Sequence, residues 1–146
     1  KPEVAIIMIG TNDISGGGVP EHYRGRLEQV VRKCTAAGCV PILNTIPPRR
    51  GRAEAVAEAN KIIRDVALKL HVPLADFHSE CIRRRPDGSW DGTIISRDGV
   101  HPSGGKSNDY SEQNLNNCGY ALRNWVNFLV YRQLYFQVLN PAGAQQ

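Results

Sequence analysis

Val4-Ala5-Ile6-Ile7-Met8-Ile9-Gly10-Thr11-Asn12-Asp13 is a run of six apolar residues that stops abruptly in small and polar ones. Without any polar alternation, and with several β-branched side chains, the run predicts a strand covered on both faces rather than one half in water. Such strands sit centrally in parallel sheets. Ligands of those sheets bind outside the carboxyl ends of the strands, where Gly10, Thr11, Asn12 and Asp13 fall.

Downstream, the pattern alternates between helix and strand. Gly16 to Gly18 make a flexible connection whose spacing fits neither a dinucleotide fingerprint nor a P-loop. Over Glu21 to Ala37, the positions Tyr23, Leu27, Val30, Val31 and Cys34 recur at helical spacing, and Gly38 supplies a C-terminal stop. Cys39 to Ile46 reads as a second strand, closed by Pro47-Pro48, with Pro41 tolerable near its start. A helix over Arg52 to Leu70 and a short strand over Val72 to Phe77 follow. Strand, helix, strand, helix, strand implies parallel pairing through right-handed crossovers. A short helix or turn near Ser79 to Arg84, a Pro86-Asp87-Gly88 turn, and one long helix over Leu115 to Val138 complete the expectation. Residues 1–139 are thus expected to form one α/β domain and 140–146 a tail.

Composition narrows the function classes. The chain has 146 residues, 41% hydrophobic and 22% charged, enough to bury a core. No apolar run is long enough to cross a bilayer, so no membrane partner is expected. The residues before the first strand carry no charged-then-apolar leader. Net charge is +4, concentrated in Arg49, Arg50, Arg52 and in Arg83 to Arg85. Lying near Pro and Gly and without interleaved aromatics, both clusters read as solvated loop surface, and no nucleic-acid partner is expected. Cys34, Cys39, Cys81 and Cys118 form no metal-ligand spacing, so no metal and no other cofactor is expected. Cys34 and Cys39 flank a turn and are compatible with a bridge or with buried thiols, which leaves the compartment open.

Two constellations carry chemistry. In Asp98-Gly99-Val100-His101 a carboxylate can orient an imidazole that serves as general base. At a strand's carboxyl end, the Asn12 amide can donate to a developing oxyanion, and Gly10 permits the tight turn there. Each alone is equally a turn motif. Together, Gly10-Thr11-Asn12-Asp13 after a buried strand and Asp98-Gly99-Val100-His101-Pro102 ahead of a closing helix resemble the SGNH, or GDSL-type, hydrolase family. Asn44-Thr45-Ile46-Pro47-Pro48 is similar to a segment usual in it.

The resemblance implies a flavodoxin-like three-layer α/β/α fold and a Ser-His-Asp ester hydrolase, with Asp98 and His101 as triad members and Asn12 at the oxyanion. It implies small acyl or carbohydrate acetyl esters as substrates. The family's Gly-Asp-Ser block and its second block, a Gly N–H donor, are absent, since only nine residues precede Gly10. None of the seven serines, at 15, 79, 89, 96, 103, 107 and 111, has the strand-to-turn setting of a nucleophile. The chain therefore resembles the carboxyl-terminal portion of such a hydrolase, inert on its own, with the nucleophile upstream. That would turn Val4 to Ile9 into a sheet edge open to a homodimer or to strand exchange. The alternative is a non-catalytic glycan- or protein-binding module using the Gly loop, Trp90 and Ser103 to Ser111.

Overall fold

The computed structural model describes residues 2–141. Strand β1 (Val4–Ile7) pairs in parallel with β2 (Val40–Asn44), and β2 with β3 (Leu74–Ala75), in the order β1-β2-β3. The register sets Val4 against Val40, Ile6 against Ile42, and Leu43 against Leu74. β2, not β1, is therefore the central strand. The opening run is an edge, and Ile6 on it is 56% exposed.

The crossovers are helices α1 (Tyr23–Ala36) and α2 (Ala53–Lys69). Their apolar stripes, Leu27 and Val31 from α1 with Val56, Ala59, Ile63 and Val66 from α2, pack with Leu43 and Ile46 in one core. The opposite face of β2, carrying Ile42, packs with Ala75 and with Leu134 of α5 (Gly119–Leu134). Beside it, Phe77 and Cys81 of α3 (Phe77–Arg84) join Ile94, Leu115, Ala121 and Leu122. Helices thus cover both faces of a parallel sheet, giving the three layers expected.

Gly38 stops α1 with φ +66°: its N–H reaches the Thr35 carbonyl at 2.8 Å and the Cys39 N–H reaches that of Cys34 at 3.0 Å. The same closure ends α2, with His71 in the left-handed position at φ 51°. The long terminal helix expected over Leu115 to Val138 is broken. A one-turn helix α4 (Glu112–Leu115) precedes α5, and a π-helical turn spans Tyr135–Leu139. At the break Cys118 is extended, and α5 begins hard against another segment: a Cβ on Gly119 would lie 2.0 Å from the Ile94 carbonyl oxygen. Of the expected tail, residues 142–146 lie outside the described residues.

Neither arginine cluster is bare solvated surface. Arg84, its side chain 4% exposed, bonds Glu80 at 2.9 Å and Glu112 at 2.8 Å, tying α3 to α4. All four cysteines are free, and burial pushes the Cys81 thiol far up from its ordinary value.

Candidate active site

Beyond β1 the chain turns sharply at Gly10, which has φ +123°. An added Cβ there would sit 2.5 Å from the Tyr23 hydroxyl, which itself donates to the Ile9 carbonyl at 3.0 Å. Burial, with Asp13 adding to it, raises the Tyr23 pKa, so this hydroxyl remains a donor. Tyr23 was legible as a core residue of α1. Its grip on the end of β1 was not.

Past that turn, Asn12 precedes a 3-10 turn over Asp13–Gly16. Its carbonyl accepts the Ser15 N–H at 3.1 Å, yet its side chain is exposed and makes no capping bond. The self-bonded turn that Asn often forms is absent here, which leaves the amide available to a ligand.

Asp98 is surrounded by donors. Its Oδ1 accepts the Ser96 hydroxyl at 2.6 Å and the N–H groups of Val100 and His101 at 2.8 and 3.0 Å, while Oδ2 meets His101 Nδ1 at 2.7 Å. The Ser96 hydroxyl first, then the imidazole and the two N–H groups, hold this carboxyl far below the usual carboxylate range. An ionised carboxylate only accepts, so Nδ1 carries the hydrogen, and in a neutral ring Nε2 is then the acceptor. The His101 side chain is 68% exposed, so the ring is accessible from solvent.

Two further segments fix this loop. On one side Gly99, with φ +73°, lies against the Arg50 stem, and the Arg50 N–H donates to the Gly99 carbonyl at 2.9 Å. On the other, α5 lacks a capping side chain at Cys118 and is capped from the loop instead. Ser103 Oγ accepts the Gly119 N–H at 2.9 Å, and its carbonyl accepts that of Tyr120 at 3.2 Å.

Asp98 and His101 are thus brought into contact, and Gly10 and Asn12 share one turn. The two groups make no hydrogen bond with each other. They are joined through the loop after β2: Arg49 donates to the Thr11 carbonyl and to Ser15 Oγ, Arg52 to the Ser15 carbonyl at 3.0 Å, and Arg50 to the Asp98 loop. Among the described residues no serine hydroxyl bonds the His101 ring; Ser96 is committed to Asp98 and Ser15 to Arg49. Trp90 is partly buried against the core and lines a groove with Arg49, Arg50 and Arg52.

The sequence and the fold both have relatives among known proteins. The sequence model of the GDSL-like lipase/acylhydrolase family matches residues 1–104, a span that includes both Asn12 and the Asp98–His101 loop. Among solved structures, a protein of the G-D-S-L family from Desulfitobacterium hafniense is similar with TM-score 0.67 at 21% identity, over 89% of this chain and 66% of that one. A lipase/acylhydrolase from Enterococcus faecalis is similar with TM-score 0.62 at 18% identity, over 90% and 61%. A GDSL-like lipase from Bacteroides thetaiotaomicron follows with TM-score 0.53 at 22% identity, over 70% and 55%. The chain therefore spans between 55% and 66% of the length of these structures. No curated protein sequence matches it.

Proposed function

We propose, given that the chain belongs to the GDSL-like lipase/acylhydrolase family, that it carries the base and oxyanion half of a Ser-His-Asp ester hydrolase. The observation that carries this reading is the 2.7 Å bond from His101 Nδ1 to an ionised Asp98, with the His101 side chain largely exposed. In the reaction a serine hydroxyl oxygen bonds to the acyl carbon while its proton passes to His101 Nε2. The carbonyl electrons move onto oxygen, where the Asn12 amide donates to the negative charge. Collapse breaks the bond to the alcohol, which leaves with the proton from His101, and water then repeats the sequence to release the acid. Asp98 holds the tautomer and stabilises the imidazolium throughout.

The serine is proposed to come from residues outside this chain, on a strand added along the open edge of β1. Supporting this are the absence of any serine bonded to His101 among the described residues and the longer length of the similar structures. Small acyl or carbohydrate acetyl esters are the proposed substrates, because the loops around Asn12 and His101 are polar and Gly-rich rather than lined with Leu and Phe.

p-Nitrophenyl acetate hydrolysis by this chain, and by a version extended upstream to include a Gly-Asp-Ser block, tests the reading. The extended form is expected to be active and this chain nearly inert. In the extended form His101→Ala should lower kcat by about 10⁴- to 10⁶-fold, and Asn12→Ala by about 100- to 1,000-fold. Equal activity of the two lengths would refute the missing nucleophile. An unaffected His101→Ala would refute the base.

A further inference from the structure

Arg50 is where the loop after β2 meets the Asp98 loop, and its contacts are too many for an ordinary surface ion pair. Its Nε and Nη2 form a two-pronged pair with Asp91, at 2.6 and 2.7 Å. Nη2 also donates to the Arg97 carbonyl at 3.2 Å, and the main-chain N–H donates to the Gly99 carbonyl at 2.9 Å. A Cβ on Gly99 would lie 2.7 Å from Arg50 Cβ. These anchors fall on residues 97 and 99, immediately either side of Asp98, and so fix the backbone that aims its carboxylate. Asp91 is held in turn, by a bridge to Ile95 and by its N–H on the Gly88 carbonyl at 3.4 Å.

We propose that Arg50, locked by Asp91, is a positioning residue that holds the Asp98–His101 loop in its hydrogen-bonded form. A bidentate guanidinium fixes both distance and plane, which a lysine ammonium cannot do. Its neighbour Arg49 holds the Thr11 and Ser15 side of the Asn12 turn, so two consecutive residues on one loop bind the two arms of the site. The consequence for turnover rests on the roles proposed above for Asp98 and His101. The positioning itself does not.

The test turns on a sign. Removing a negative charge near Asp98 lowers its carboxyl pKa by charge alone. If the clamp positions the loop, Asp91→Asn instead loosens the hydrogen bonds to Asp98 and raises it. Carbon NMR titration of the Asp98 carboxyl, in this full chain, is expected to show the midpoint rising by about one pH unit in Asp91→Asn. A midpoint that stays or falls would overturn the proposal. Arg50→Met keeps the aliphatic stem under Gly99 and removes the fork. There the Val100 and His101 amides are expected to exchange about tenfold faster, while those of α2 stay unchanged and report an intact fold. Unchanged exchange at Val100 and His101 would also overturn it, and Arg50→Met decides the matter if Asp91→Asn does not fold. In the chain extended with a serine block, Asp91→Asn should lower kcat by about 10- to 100-fold with KM little moved. An inert extended parent would refute the hydrolase reading, and the Asp98 titration would still decide the clamp.

Discussion

β1 and β2 carry nearly the same sequence signature and meet opposite fates. Val4 to Ile9 and Val40 to Leu43 are both apolar runs followed within a few residues by polar ones at the site side of the sheet. In β2, Ile42 and Leu43, and Ile46 just beyond it, are at most 1% exposed, with α1 and α2 over one face and α5 over the other. In β1, Ile6 is 56% exposed, and Ile9 beyond it 43%. Ile6 faces a groove of about 610 Å³ shared with Met8, Asn44, Phe128 and Tyr131. An apolar run thus reports the burial a strand is suited to. Whether the covering belongs to the same chain is a separate matter.

The contrast is broken or sharpened most directly by shortening matched residues on the two strands. Ile6 and Ile42 are register partners. Ile42→Ala should destabilise by about 2 to 5 kcal/mol, because it opens a cavity between β2 and α5. Ile6→Ala should stay within about 0.5 kcal/mol of the parent, as surface substitutions do. Urea midpoints of the two variants check this. Similar losses would mean that β1 is covered in solution, by a second copy of the chain or by another segment.

A smaller effect is expected at the buried amide pair between β2 and α5. Asn44 and Asn127, 2% and 5% exposed, exchange hydrogen bonds of 3.0 and 2.8 Å, and Asn127 also donates to the Arg123 carbonyl at 2.9 Å. Asn127→Ala leaves the Asn44 amide buried without its partner, at a cost of about 1 to 3 kcal/mol. Replacing both by Ala should cost less than the sum of the single changes, which a double-mutant cycle measures. Asn44 also lines the groove beside β1. A loss below about 0.5 kcal/mol in Asn127→Ala would show water reaching Asn44 from that side, and the difference between the strands would shrink.

Periodicity made α1, α2 and the parallel order legible, because helical and strand spacing survive whatever packs on them. Asp98 and His101 were legible as a pair because their bond closes within four residues. Much of the support was not. Arg49 and Arg50 beside Pro47-Pro48 look alike in sequence whether solvated or donating to Thr11 and Gly99, since those partners are 38 and 49 positions away. Ser103 caps α5 across 16 residues, beyond the reach of any local capping pattern. The break falls where the Ile94 carbonyl packs against Gly119, a contact 25 positions away, while the apolar spacing runs on through. His71 occupies a position where glycine would have announced the helix end. That β1 is an edge was legible only from the short lead before Gly10 and the family resemblance, for a related reason: neighbours set a strand's position, and its own residues do not.

The strand ends give the finest test. Beyond β1 the Asn12 side chain is unbonded, whereas beyond β2 Thr45 is locked: its hydroxyl donates to Asp76 Oδ1 at 2.9 Å and accepts the His78 N–H at 2.9 Å. Asp76 caps α3 through the Ser79 N–H at 3.1 Å and receives Arg64 from α2 at 3.0 Å. Burial alone would raise the Asp76 pKa, but the bonds from Arg64, Ser79 and Thr45 outweigh it and hold the carboxyl below its ordinary value. A lowered folded pKa means stability present above the unfolded value of about 3.9 and lost as pH falls through the folded one. Asp76→Ala should therefore cost about 1 kcal/mol near neutral pH, the usual worth of such a cap, and progressively less below about pH 4. His78 adds an earlier step, since burial and then the Arg64 charge lower its pKa and disfavour the charged ring. Stability should fall as pH drops from about 6.5 through its folded value, and this loss should be absent in His78→Gln. Urea titrations across pH 3 to 8 separate the two steps. A cost of Asp76→Ala that stays constant down to pH 3 would show that the carboxylate's charge adds nothing to the lock on Thr45, and the end of β2 would then be held no more firmly than the end of β1.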